Sequence, residues 1–300
     1  MKSIYQLKTQ NKLRSLIDRK IVKYINRRSA DCLQQRGSRM AIYANDSIGI
    51  DINQYGIYEK EQLTVLFDFL EKLLPAPWQG AAVDIGANIG NHALFFSQRF
   101  DKVIAFEPHP KTYRLLVFNT ENAANITAIN CGLAEEAGEL TLTEHTLNLG
   151  ASSMVKNKHT GAERITISVD KLDNAMAEIG PIQLIKIDVE GYEINVLKGG
   201  VKTIKMHQPV IVLEQHADEF VNGSTPSLTF LAELGYKFCW LQRGSVSWSR
   251  GLSKLIDVHE YVTGVRHRIM TGNEVPARNH SMLIAVPEQL CNELGLEVEQ

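Results

Sequence analysis

The sequence predicts an α/β protein organised around a parallel sheet, and three features carry that expectation. Residues 81–85 (AAVDI) form a short apolar run that leads into Gly86 and Gly90, which bracket Ala87, Asn88 and Ile89, and a helically spaced set (Ala93, Leu94, Phe96) follows. A second apolar run at 103–106 stops at Glu107 and Pro108. Two strands joined by one helix within about thirty residues make a right-handed crossover, and therefore a parallel pair. The later apolar runs at 182–187 and 209–213 are near-continuous rather than alternating, as expected for strands covered on both faces.

Taken in order, the chain opens with a basic segment. Residues 1–40 hold eleven Lys and Arg against Asp18 and Asp31, a net charge of +9 in a chain whose total is −2. Leu13, Leu16, Ile17, Ile21, Tyr24 and Ile25 share one face of a helix over residues 3–28, with Lys and Arg filling the rest. Such a helix serves as a packing or homo-oligomer contact, rests on an anionic membrane surface, or touches nucleic acid. The first is the leading expectation, and nucleic acid the weakest, because no aromatic stacking set accompanies the charge. Residues 39–44 and 47–52 flank Asn45-Asp46 and read as a hairpin. Residues 58–74 carry Leu63, Leu66, Phe67, Leu70 and Leu74 at helical spacing and stop at Pro75 and Pro77.

Beyond Glu107, Pro110 opens a helix to about Ala123, and residues 126–133 read as a third strand. Residues 138–143 and 164–169 alternate like strands across a polar loop at 145–161, placed to cover a ligand. A short helix begins at 170–173. The fourth strand, 182–187, ends at Asp188 and passes through Gly191 into a helix over 192–198; the fifth, 209–213, ends at Glu214, Gln215 and His216. A helix at 228–234, a strand at 236–241, a polar insert at 242–279 and a last strand at 281–286 complete the pattern. The expected division is 1–75, an N-terminal basic helix, hairpin and lead-in helix, and 76–300, one large α/β domain.

Composition bounds the setting. At 44% hydrophobic and 22% charged, 300 residues describe a globular chain with ample core. No apolar run reaches the ~20 residues of a membrane span and no signal-peptide block opens the chain, so a cytoplasmic protein is expected, with contact at the inner face of the membrane as a further option. Cys32, Cys131, Cys239 and Cys291 are scattered without a C-x-x-C, which suits buried free thiols.

Chemistry gathers at the strand ends. Glycines let backbone N–H groups approach a ligand at a helix start, and a carboxylate ending the next strand accepts hydrogen bonds from ribose hydroxyls, which places Glu107. The spacing Gly86-x-x-x-Gly90 departs from G-x-G-x-x-G, with Ala87 and Asn88 where the middle glycine falls. A pyrophosphate needs the close approach which that glycine permits, so the departure disfavours NAD-dependent oxidoreduction and favours a nucleoside without phosphates, S-adenosylmethionine above all. Asp84 then sits near its amino-acid end.

The ordered motifs resemble one known family. VDIGANIGNHALFF at 83–96, VIAFEPHP at 103–110, Asn119 and Asn122, AEEAGELTL at 134–142, VDKLD at 169–173 and IKIDVEGYEINVLKGG at 185–200 are similar to the FkbM family of S-adenosylmethionine-dependent methyltransferases, over about residues 80–215. The resemblance implies the class I methyltransferase (Rossmann-like) fold, a seven-stranded mostly parallel sheet with an antiparallel last strand and helices on both faces. It also implies O-methylation of a hydroxyl on a sugar, glycan or secondary metabolite. The alternatives are a non-catalytic binding module on the same fold and a nucleic-acid methyltransferase; the IDVEG strand end lacks the Asn/Asp-Pro-Pro-aromatic tetrapeptide of enzymes that methylate base amines.

The candidate cofactor contacts are Asp84, Gly86, Asn88, Gly90, Asn91, Glu107, Pro108, Gly132 and Asp188. For catalysis Asp188 is the first choice as general base, with Glu190, Glu214 and His216 behind it, His216 oriented by Glu214. Lys186, among apolar neighbours, is expected to neutralise a buried carboxylate. Asp188, Glu190 and Glu214 offer oxygen ligands, but no compact ligand motif accompanies them, so no metal is expected. Arg266, His267, Arg268, Arg278 and His280 make the late insert basic, which suits either a phosphorylated or carboxylated glycan or a solvated surface.

Overall fold

The computed structural model describes residues 12–36, 39–43, 46–74, 78–144, 163–244, 267–272 and 274–293. The loop expected at 145–161, most of the stretch read as a polar insert and residues 3–11 of the expected basic helix lie outside them. The chain forms two compact units, Met1–Lys60 and Glu61–Gln300.

In the smaller unit, α1 (Lys12–Arg36) and α2 (Ser47–Tyr55) are helices. The apolar positions Leu13, Leu16, Ile17, Ile21, Tyr24 and Ile25 of α1 are each at least 36% exposed. The hairpin expected at 39–52 is corrected: residues 47–55 are helical, because Asp46 acts as an N-cap rather than a turn residue. Its Oδ1 accepts the Ile48 N–H at 3.4 Å, and Gly56, at φ 86°, closes the helix by donating to Ile52 O.

In the larger unit, α3 (Lys60–Leu73) buries Leu63, Leu66, Phe67, Leu70 and Leu73, the i, i+3, i+4, i+7 stripe of an amphipathic helix. Phe67 packs edge-on to Phe95 at 4.9 Å and against Trp78 at 5.4 Å, so α3 sides with this unit rather than with the N-terminal segment. The main sheet follows from β1 (Ala81–Ile85), α4 (Asn91–Phe96), β2 (Lys102–Phe106), α5 (Pro110–Thr120) and β3 (Ile126–Ile129). β4 (Gly132–Leu133), β5 (Gly138–Glu144) and β6 (Glu163–Asp170) make a separate three-stranded sheet, order β4-β6-β5. The third strand expected at 126–133 is thus two strands in two sheets, parted at Asn130, whose side-chain amide turns back to the carbonyls of Glu107 and Pro108.

Next come α6 (Leu172–Ala175), β7 (Ile182–Ile187), α7 (Glu193–Gly199), α8 (Val201–His207), β8 (Val210–Gln215), α9 (Pro226–Glu233), β9 (Tyr236–Arg243), β10 (His267–Thr271), β11 (His280–Pro287) and α10 (Glu288–Glu293). The strand order is β10-β9-β11-β8-β7-β1-β2-β3. β3, β2, β1, β7 and β8 are parallel, and β11 runs antiparallel between β8 and β9. Among the described residues the sheet has eight strands rather than seven: β10, inside the stretch read as a polar insert, extends its edge. No position of this edge strand is fully buried, so it shows no apolar run in the sequence. Central strands β1 and β7 are almost wholly buried, and their neighbours on the two sides begin in opposite sequence directions, so the crevice at their carboxyl ends is a topological switch point.

Candidate active site

Two groups of side chains meet at those carboxyl ends. The first surrounds the glycine turn. Gly86 takes φ 77°, and a Cβ there would fall on the backbone oxygen of Asp188, so side chains are barred on both conformational and steric grounds. Asn88, at φ 49°, donates its backbone N–H to Glu107 Oε2 at 3.0 Å, and His109 N donates to Oε1 at 2.8 Å. Glu107 is 7% exposed, and burial outweighs these two donors and raises its pKa to about 7. Each carboxylate oxygen keeps lone-pair capacity for a ligand donor. Gly90 precedes α4 in the left-handed region and packs on Leu116; Asn91 opens α4 and is buried. Asn119 Nδ2 donates to Ile89 O at 2.7 Å and pins the turn. Gly132 lies against Val169 and Pro108, where a side chain would crowd both.

The second group is charged. Asp84 and Lys186 are register partners on β1 and β7, and Lys186 Nζ lies 3.3 Å from Asp84 Oδ1 and 3.2 Å from Asp188 Oδ2. The lysine therefore neutralises two carboxylates, and its own pKa is raised: burial opposes its charge, but Asp188 and Asp84 outweigh that. Burial works to raise the Asp188 pKa, yet Lys186 and His92 hold it below the ordinary carboxylate range, so Asp188 is ionised at neutral pH. Glu214 is the opposite case. Burial, then Asp188 and Glu190, push it up to about 9, so it carries a proton and hydrogen-bonds Asp188. His216 Nε2 lies 3.9 Å from both Glu190 Oε2 and Glu214 Oε2.

All four acid/base candidates thus come together, and Asp84 joins them through Lys186. Glu107 and Pro108 lie beside the glycine turn, with Gly132 behind them. Sequence reading missed two braces. Asn130 holds the Glu107–Pro108 carbonyls, and the buried Glu193 accepts the N–H groups of Val189 and Gly191 at 3.3 and 3.1 Å, fixing the turn that presents Asp188 and Glu190. The acid two residues beyond Gly191 was the available signal. Part of the basic late segment is committed internally: His267 Nδ1 lies 3.6 Å from Glu61, Arg278 donates to Gln242 Oε1 at 2.6 Å, and His280 is buried.

Strand order, the antiparallel β11 between β8 and β9, and acids at the ends of β1, β2 and β7 define a protein of the class I methyltransferase fold. The chain belongs to the FkbM methyltransferase family, whose FkbM domain matches residues 84–238, more than half of the chain. It is similar to the methyltransferase sdnD of Sordaria araneosa (32% identity; 39% of this chain, 59% of that one). It is also similar to the hexuronic acid methyltransferase AglP of Haloferax volcanii (33%; 45% and 55%). The matches therefore span little more than half the length of these two relatives. Among solved structures, the FkbM methyltransferase of Methylobacillus flagellatus superposes with a TM-score of 0.39 at 20% identity, over 70% of this chain and 54% of that one. Among the described residues, no helix is long and apolar enough to cross a membrane.

Proposed function

We propose that the chain transfers a methyl group from S-adenosyl-L-methionine to a hydroxyl of a sugar, glycan or secondary metabolite. The observation that carries this is Glu107: a buried carboxylate at the end of β2, fixed by two backbone donors beside a glycine turn, with capacity left for a diol. Gly86 admits no side chain, which lets the glycine turn pack directly on the Asp188 backbone and so sets Asp188 beside it. Similarity to a hexuronic acid methyltransferase supports a sugar acceptor.

When bound, the cofactor supplies an electrophilic methyl: the acceptor oxygen forms the new C–O bond as the C–S bond breaks and its electron pair passes to sulfur. Asp188 orients the acceptor by accepting the hydroxyl hydrogen bond and receives the proton. Its low pKa suits that role, because Lys186 keeps it ionised, and an oxygen gaining a methyl becomes acidic enough to yield its proton to a weak base. Lys186 fixes that carboxylate against Asp84 and so limits the geometries it can sample.

The test has two arms. S-adenosylhomocysteine should raise the thermal midpoint of the wild-type chain, and Asp188→Asn should keep that shift while methyl transfer to a hydroxylated acceptor falls by roughly 10²–10⁴-fold. A chain that S-adenosylhomocysteine does not stabilise would sink the reading; undiminished turnover in Asp188→Asn would remove Asp188 from the chemistry.

A further inference from the structure

We propose that Glu190, Glu214 and His216 form a divalent-cation site on the acceptor side of the cleft, suited to manganese. Each residue offers one ligand atom, and these atoms lie within 4.8 Å of one another. Cation–ligand distances of about 2.1 Å place neighbouring donors roughly 3–3.4 Å apart, so the 3.9 Å separations from His216 Nε2 close by small side-chain adjustments. The three side chains are about a third exposed, which leaves them room for that and leaves the cation open to a substrate.

The donor set is more than a patch of acid. It joins an imidazole to two carboxylates from separate segments: Glu190 on the turn after β7, Glu214 and His216 at the end of β8. Asp188 adjoins the group, and the nearby buried cation, Lys186, is already shared between Asp84 and Asp188. One imidazole with two carboxylates suits a first-row cation that accepts nitrogen as well as oxygen, which favours Mn²⁺ over Ca²⁺ or Mg²⁺.

What the cation does there rests on the methyl-transfer reading. Three protein ligands leave positions free for acceptor oxygens, and coordination would lower the hydroxyl pKa, easing proton transfer to Asp188. The acceptors favoured by such a site carry two adjacent oxygen donors, as a vicinal diol or a hydroxy-carboxylate does.

Titrating metal-free full-length chain with Mn²⁺ under electron paramagnetic resonance should show one bound equivalent, and both Glu190→Gln and His216→Ala should weaken it by at least about tenfold. Wild-type chain that leaves Mn²⁺ free, or variants that hold it as tightly as wild type, would overturn the site. Thermal shift with S-adenosylhomocysteine on the same samples separates the two ideas. A retained shift without Mn²⁺ binding removes the cation and spares methyl transfer; Mn²⁺ binding without a shift does the reverse.

Discussion

Glu107 shows how a residue's surroundings set its task. Two backbone donors hold its oxygens while burial raises its pKa to about 7, so the ligand-free protein partly protonates it at neutral pH. A ribose diol donates to the ionised form, so S-adenosylhomocysteine should bind more tightly as pH rises from 6 to 8, with proton release measurable by calorimetry in buffers of different ionisation enthalpy. Glu107→Ala should weaken that binding by roughly 1.5–3 kcal/mol and flatten its pH dependence, with circular dichroism unchanged; an unaltered dissociation constant would end the ribose assignment. Stability has its own sign. Glu107, Glu193 and Glu214 all have raised folded-state pKa values, to about 7, 7 and 9, so the folded state keeps protons that the unfolded chain releases above the ordinary carboxylate range. That contribution is complete below the ordinary carboxylate value of 4.5 and is lost between there and the folded-state values, so the ligand-free thermal midpoint should fall from about pH 5 to pH 9, most steeply below about pH 7, above which only Glu214 still contributes. Glu107 was legible because a strand ended on it. The protonated state of Glu214 was not, since it depends on burial and then on Asp188 and Glu190, all of which arise only after folding.

At the scale of elements, the glycine turn between β1 and α4 is the most constrained piece. Gly86→Ala would place a methyl group on the Asp188 carbonyl while forcing an L-residue to φ 77°. The expected result is a loss of at least about 2 kcal/mol in urea unfolding together with lost S-adenosylhomocysteine stabilisation. A variant with wild-type stability and binding would show that the turn relaxes away from β7. This turn was readable because glycines punctuate an apolar run. The segment around Asp46 was ambiguous: Asn-Asp between two apolar stretches fits a hairpin turn as well as a helix cap, and the choice was made by α2 continuing to Tyr55. The break between β3 and β4 escaped notice for a related reason. Both pieces are apolar, and what separates them is the Asn130 side chain reaching back to Glu107, a contact that residue type alone does not announce.

For the molecule as a whole, the parallel centre of the sheet was legible because β1, β7 and β8 are buried on both faces and must be apolar throughout, whereas the edge strand β10 has no fully buried position. That asymmetry bears on where the fold's stability resides. Among the described residues, every strand, the aromatic group around Phe67 and all the candidate site residues fall within Glu61–Gln300, while Met1–Lys60 holds α1, α2 and 12 of the chain's 32 Lys and Arg residues. Burial of apolar area and ordering of the site are then both local to the larger unit, and a two-unit chain is expected to lose one unit without unfolding the other. A chain of residues 57–300 should therefore give one cooperative thermal transition and the same S-adenosylhomocysteine shift as the full protein. If that fragment melts without cooperativity, or melts as before yet ignores the ligand, then the expectation that the larger unit stands without residues 1–56 fails.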